Sequence, residues 1–149
     1  MSGAGPITEF RGPHRFLSNF WPCQISMDYA TYPSIEHAYQ AAKTLDPDQR
    51  ARIRRTRSPG AAKHLGKRVT LRAGWEDIKV EMMLQLVRQK FTSNSALAEQ
   101  LLATGDRELV EGNYWNDVFW GQCPVGTGSN HLGKILMQVR AEIRESGNG

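Results

Sequence analysis

Read for its hydrophobic and polar positions, the chain changes period once. Cys23, Ile25 and Met27 alternate with Gln24, Ser26 and Asp28, the two-residue period of a half-buried strand. A turn near Asp28 and Tyr29 would pair it with Ala30 to Tyr32. Helical signals follow. Ser34 is an N-cap for a helix to about Thr44, ended near Asp46-Pro47. Asp46 and Pro47 read as N-cap and first residue of a second helix to about Arg57. Ser58-Pro59 repeats that signature, with Gly66 as the residue just past the helix end.

Trp75, Ile78, Met82, Leu86 and Val87 form an apolar stripe with helical period over 75–90. A shorter helix is expected over Ser95 to Ala103, stopping at Gly105, and a last one over His131 to Arg144. Between these two lies an irregular segment, Leu109 to Asn130, which sets four aromatic residues around Asn116-Asp117 and then runs through Gly121, Gly126 and Gly128. Irregular segments of this length in a small domain are usually functional. The expected fold class is mainly α (α+β), a helical domain with a small N-terminal β element. No repeat or linker breaks it, so the expected organisation is a single domain over 1–149 with a core of about 7–145.

Composition narrows the classes. Hydrophobic residues make up 40% and charged residues 23% of 149 positions, a globular balance. No apolar run approaches the roughly 20 residues needed to cross a bilayer. Met1 to Pro6 has no secretory pattern, so no membrane association and a cytoplasmic location are expected. Cys23 and Cys123 are far apart and expected to be reduced thiols. Together with His14 and His131 they show no close ligand pairing, so no metal and no cofactor are expected. The net charge of +4 favours anionic partners.

Four places could carry chemistry. Glu36, Tyr39, Gln40 and Lys43 fall on one helix face, opposite Ile35, Ala38, Ala42 and Leu45. A carboxylate, a phenol, an amide and an amine in one row make a catalytic surface; a solvated helix shows the same spacing. In the aromatic segment, Trp115, Phe119 and Trp120 would desolvate Asp117 and raise its pKa toward that of a general acid, or the rings fill a core and Asp117 turns the chain. Gly126 to Asn130 precede a helix, where backbone N–H groups and the helix dipole can hold a phosphate, or simply cap it. Gly128 to Lys134 reads like a P-loop, but Ile135 stands where Ser or Thr is required, which excludes nucleotide binding by that motif. Finally, Arg50, Arg52, Arg54, Arg55 and Arg57, continued by Lys63, Lys67 and Arg68, are either a solvated surface or a set of nucleic-acid phosphate contacts.

The ordered set Phe16-Leu17-Ser18-Asn19-Phe20, Ser34-Ile35-Glu36-His37-Ala38-Tyr39-Gln40-Ala41-Ala42-Lys43, Trp75, Lys90-Phe91, Asn116-Asp117-Val118-Phe119-Trp120-Gly121 and Gly128-Ser129-Asn130-His131-Leu132-Gly133-Lys134 resembles the NADAR/YbiA-like family. The likeness covers about Phe10 to Ile143. It implies a metal-free, mostly helical enzyme that hydrolyses N-glycosidic bonds, either of ribosylamino-pyrimidine phosphates from riboflavin biosynthesis or of ADP-ribose on the amino group of guanine. On this pattern Glu36, Trp75 and Asp117 stand at positions the family uses for activity, and Lys43 lies in the same motif. Gln122-Cys123-Pro124-Val125 departs from the more Gly- and Asp-rich stretch expected there.

The resemblance thus makes Glu36, Lys43 and Asp117 the candidate catalytic residues. Ser18, Asn19, Phe20, Tyr39, Gln40, Trp75, Trp120, Gly121, Gly128 and Asn130 are the candidate substrate-binding ones. Trp75 or Trp120 would stack on base or ribose, Asn19 would hold sugar hydroxyls, and the Gly128–Asn130 helix start would take phosphate. Expected partners are an ADP-ribosyl or ribosyl-phosphate substrate and nucleic acid at the basic surface, with an ADP-ribosyltransferase toxin as a candidate counterpart. A non-catalytic module that binds ADP-ribose or RNA is the alternative from another class.

Overall fold

The computed structural model of the protein describes residues 5–147; Met1 to Ala4, within the segment read for a leader, lie outside them. The chain divides into two compact units, one formed by Asn19–Lys90 and the other by the flanking stretches, Met1–Ser18 with Phe91–Gly149.

The Asn19–Lys90 unit opens with the expected hairpin. Strands β1 (Ile25–Met27) and β2 (Ala30–Tyr32) pair antiparallel with Ile25 opposite Tyr32. Asp28 and Tyr29 both take positive φ, 49° and 69°, the left-handed pair that a two-residue hairpin turn requires. Arg50 clamps the turn through a 2.7 Å ion pair to Asp28. The outer edge of β1 is satisfied by a side chain: the Gln89 amide donates to Ser26 O at 2.9 Å and accepts from Ser26 N at 2.6 Å, standing in for a third strand.

Three short helices follow, each begun by the cap its sequence announces. Ser34 Oγ accepts from His37 N before α1 (Ile35–Ala42). Asp46 accepts from the N–H groups of Asp48 and Gln49 before α2 (Pro47–Arg54), and Ser58 from Ala61 N before α3 (Pro59–Gly66). Helix α2 ends at Arg54, three residues before the expected Arg57. Gly66 is the last residue of α3 rather than the residue beyond it, for a packing reason given below. His37 ties α1 to the turn after α2: Nδ1 lies 2.7 Å from Ser34 Oγ and Nε2 3.2 Å from Thr56 O. Burial lowers the His37 pKa.

Helix α4 (Trp75–Thr92) carries the long apolar stripe, with its buried line through Trp75, Met83, Leu86, Val87 and Phe91; Met82, expected on that line, is half-buried beside it.

The second unit has a 3-10 helix, Gly12–Leu17, in a stretch whose sequence reads only as irregular. Helices α5 (Ser95–Ala103) and α6 (His131–Gly147) follow. Phe16 and Phe91 meet edge to face at 6.4 Å. Buried Arg140 on α6 donates to Thr104 Oγ1 at 2.9 Å, just past α5. Ile7 and Leu109 form a parallel bridge, and Gly112 pairs with Gln122.

Asn130 closes the long loop. It is 3% exposed, with φ of 51°; its Oδ1 accepts from Glu111 N and its Nδ2 donates to Leu109 O, both at 2.9 Å. Asn130→Ala would leave both backbone groups without their partner and put alanine in left-handed backbone. A loss of about 2–4 kcal/mol is expected, read as a lowered urea midpoint at constant slope. A loss under about 1 kcal/mol would mean that water replaces the amide.

Candidate functional site

In the Asn19–Lys90 unit every residue of α1 is buried, which removes the solvated-helix reading of its polar row. Glu36 is 8% and Gln40 4% exposed. A buried carboxylate needs donors, and Gln40 Nε2 supplies one to Glu36 Oε2 at 2.6 Å. Gln40 Oε1 is buried and has no partner among the described residues. The Glu36 N–H donates to Asn19 O at 3.1 Å, which fixes the segment before the hairpin against the first turn of α1. Asn19 Nδ2 reaches Met83 Sδ at 3.5 Å, and its Oδ1 is a second buried acceptor without a partner.

Gly66 explains how the row is held. A Cβ at this position would collide with Oε1 and Cδ of Gln40, so only glycine lets α3 approach α1 closely enough to meet that amide. The absence of a Cβ at Gly66 leaves room for the Gln40 side chain that donates to Glu36.

At the other end of the row, Tyr39 packs on Trp75 with ring centroids 5.3 Å apart, and Lys43 Nζ lies 5.7 Å from the centre of the Tyr39 ring. Burial pushes the Lys43 pKa down, and the nearby Lys79 and Lys63 push it further, against an opposing pull from Glu36. Trp75, expected to stack on substrate, is only 3% exposed and supports Tyr39 instead. Leu45, expected on the apolar face, lies beyond the helix and is 64% exposed.

Lys90 has no role in the sequence reading, yet it is 1% exposed and its pKa is lowered to about 8, chiefly by desolvation, with Cys23 opposing. The signal was present: Lys90 continues the buried α4 line from Met83 and Leu86 at helical spacing. Burial raises the Cys23 thiol; Cys23 and Cys123 are both free.

In the other unit, Asp117 is half-buried rather than enclosed by its aromatic neighbours, and Trp115 is 54% exposed. Its Oδ1 accepts from the N–H groups of Phe119 (3.2 Å) and Trp120 (2.9 Å), so the carboxylate holds a turn. Asn113, 2% exposed, grips the same residue from behind: Oδ1 accepts from Asp117 N and Nδ2 donates to Asp117 O, both at 3.0 Å. Asn113 went unnoticed in the sequence, where an Asn four residues before an Asp carries no pattern. The turn sets Phe119 edge to face with Trp120 at 4.8 Å and tilted against His131 at 4.4 Å.

The anion site expected at the start of α6 is not offered. The N–H groups of Ser129, Asn130, His131 and Leu132 donate to the carbonyls of Val118, Gly121, Phe119 and Trp120, at 2.7 to 3.2 Å. The loop closes the helix start itself. Gly121 and Gly128 serve that closure: a Cβ at Gly121 would strike Glu111 O, and one at Gly128, whose φ is 145°, would strike Gly121 O. The Asn130 side chain is likewise engaged by backbone. Ser18 caps the 3-10 helix, and Phe20 is 41% exposed. Among the described residues no group of three or more His, Cys, Asp or Glu could hold a metal ion, and no helix is long and apolar enough to cross a membrane.

Residues 8–144 match the NADAR domain family. The chain is 45% identical over 134 residues to a riboflavin biosynthesis protein of Vibrio vulnificus, covering 89% of this chain but 36% of that longer protein. It is 40% identical over 129 residues to the N-glycosidase YbiA of Escherichia coli (strain K12), covering 85% of this chain and 80% of the relative. The NMR structure of the E. coli protein YbiA superposes with a TM-score of 0.84 at 36% identity, covering 95% of this chain and 87% of that one. The mainly α architecture with one small hairpin is that of this neighbour.

The contact between α3 and α1 is directly testable. Gly66→Ala is expected to destabilise the protein by about 1–3 kcal/mol, whereas Gly60→Ala, in open space on the same helix, costs nothing of that size. Adding Gln40→Ala should return part of the loss, because the colliding amide is gone. Strictly additive effects in thermal melts would show that Gly66 does not act on Gln40.

Proposed function

This chain belongs to the NADAR domain family and is an N-glycosidase, and we propose that it removes ADP-ribose from the amino group of guanine in nucleic acid. The observation that carries the reading is the row along α1 and its C-cap: a buried carboxylate oriented by Gln40 at one end and the half-buried Lys43 amine, its pKa lowered by desolvation, at the other.

The scissile bond joins ribose C1 to an exocyclic amine. In the direct route, Glu36 takes a proton from water as the water oxygen bonds to C1. The C1–N bond breaks with oxocarbenium character, and Glu36 returns the proton to the departing amine. Gln40 keeps one carboxylate oxygen fixed throughout.

In the covalent route the ribose ring first opens to an imine. Neutral Lys43 adds to C1, the guanine amine leaves with a proton supplied by Glu36, and water resolves the Schiff base to regenerate Lys43. Desolvation favours this route by raising the neutral fraction of Lys43. The Asp117 carboxylate, with one oxygen held by two backbone N–H groups, fixes the turn that carries Trp120.

A second reading is favoured by the Vibrio relative: the substrate would be a ribosylamino-pyrimidine phosphate, cleaved by the same row. The deciding experiment is mass spectrometry of ADP-ribose released from an oligonucleotide carrying ADP-ribosylated guanine. Wild type should release it, and Glu36→Gln should be slower by about 10³-fold or more with the fold retained; a drop below about tenfold would overturn the role of Glu36. No release, with turnover of the pyrimidine phosphate, would select the second reading. Failure of both substrates with tight ADP-ribose binding would mark a non-catalytic module.

The two chemical routes separate by pH and by trapping. If Lys43 is the nucleophile, kcat rises with pH through a lysine pKa below the usual range, and borohydride fixes the sugar to Lys43. Lys43→Arg would remove both signatures, while a retained pH profile without trapping would select direct water attack.

A further inference from the structure

The positive charge of this chain is concentrated in one place. Residues 47–72 hold nine of its 19 Lys and Arg but only one of its 15 Asp and Glu, so this segment carries +8 and the remainder of the chain −4. The segment is α2, α3 and the irregular tail that follows, and seven of its nine cations are arginines.

Several of these cations make side-chain contacts within the protein: Arg50 pairs with Asp28, Arg55 Nε donates to Ala51 O at 3.2 Å, and Arg72 Nη1 donates to Ala42 O at 3.3 Å. Arg52, Arg54, Arg57, Lys67 and Arg68 are different: all are exposed, and none has a side-chain hydrogen bond or ion pair among the described residues. Unneutralised cations so close together repel one another and lower stability, which is a reason to look for what they bind.

Their placement gives the answer a shape. A cleft of about 340 Å³ is lined by Asp48, Arg52, Arg55 and Thr56. A second, of about 120 Å³, is lined by Arg52 and Arg68 together with Gln49, Ile53, Leu65 and Val69. Arg52 borders both, so Arg55, Arg52 and Arg68 form a continuous row across two clefts, with Asp48 the one carboxylate beside it. The same unit carries the α1 row, and Lys63 on α3 is among the charges that lower the Lys43 pKa.

We propose that the α2–α3 face, centred on the Arg55–Arg52–Arg68 row, binds the phosphate backbone of a nucleic acid. The reading rests on the nucleic-acid substrate proposed above, although the surface is recognised without it. Guanidinium forks match phosphate oxygens two at a time, and arginine predominates here over lysine. An anionic membrane fits less well, since the one large apolar residue of α2, Ile53, is buried and leaves no face to insert. No aromatic residue interrupts the row, so binding should follow backbone charge and ignore base sequence.

The test is fluorescence anisotropy of the full chain with unmodified labelled oligonucleotides, as DNA single strand, DNA duplex and RNA, over a range of salt. R52Q/R55Q/R68Q is compared with R15Q/R107Q/K134Q, which removes equal charge elsewhere. The first variant should bind at least tenfold more weakly, with the slope of log K against log salt reduced by about 2 to 3. Its turnover of an ADP-ribosylated guanosine monomer should match wild type. The control should stay within about threefold of wild type in binding. Equal losses in both variants would overturn the site in favour of net charge alone, and so would unchanged binding by the first. Binding to phosphatidylserine vesicles but to no oligonucleotide would overturn the choice of partner. Because the probes carry no ADP-ribose, this result stands apart from whether the proposed cleavage is found.

Discussion

The rest of the Asn19–Lys90 unit depends on burying a helix that is half polar. α1 lies wholly inside, and a carboxylate, an amide, an imidazole and a phenol go in with it. Each such group is costly to desolvate unless it meets a partner. The solutions are local and short: Gln40 donates to Glu36, the Ser34 hydroxyl and Thr56 carbonyl hold the His37 ring, and Trp75 covers Tyr39. Three buried polar atoms of the unit lack a partner among the described residues, Asn19 Oδ1, Gln40 Oε1 and Arg50 Nη2, and Gln40 is the residue that holds Glu36. Incomplete satisfaction is common where a ligand finishes the hydrogen-bonding pattern, and here one such atom lies in the reactive row.

The other unit solves the opposite problem. Its long loop has little regular structure, yet nearly every polar group in it is answered by another part of the same loop. Asn113 and Asn130 use their side-chain amides as extra peptide groups, Asp117 caps a turn, and the carbonyls of Val118 to Gly121 meet the first N–H groups of α6. Such a loop can hold Phe119 and Trp120 in fixed orientation against His131, the first residue of α6.

Much of this was legible in the sequence where the signal is local. Caps at Ser34, Asp46 and Ser58 act within three residues, and the hairpin follows from alternation and a two-residue turn. The polar row on α1 was legible as a pattern but not as a buried one, since i, i+3, i+4, i+7 spacing is the same in water and in a core. Glycine misled for a related reason. It serves left-handed backbone and close approach equally, and Gly66, Gly121 and Gly128 each serve a contact with a residue distant in sequence or across a loop. The anion site before α6 failed because a helix start looks open until the returning carbonyls are seen. The 3-10 helix at Gly12–Leu17 and the clamp by Asn113 have no periodic signature at all.

The contact between Gly66 and Gln40 also makes the reactive carboxylate sensitive to motions far smaller than unfolding. α3 is eight residues long, with only Ala62 and Gly66 fully buried. An outward movement of that one helix would give the Gln40 amide room to shift and would loosen its hold on Glu36, while the α4 stripe stays packed. Heat inactivation of this protein would therefore begin as a loss of alignment, reversible on cooling, at temperatures where its helix content is still intact.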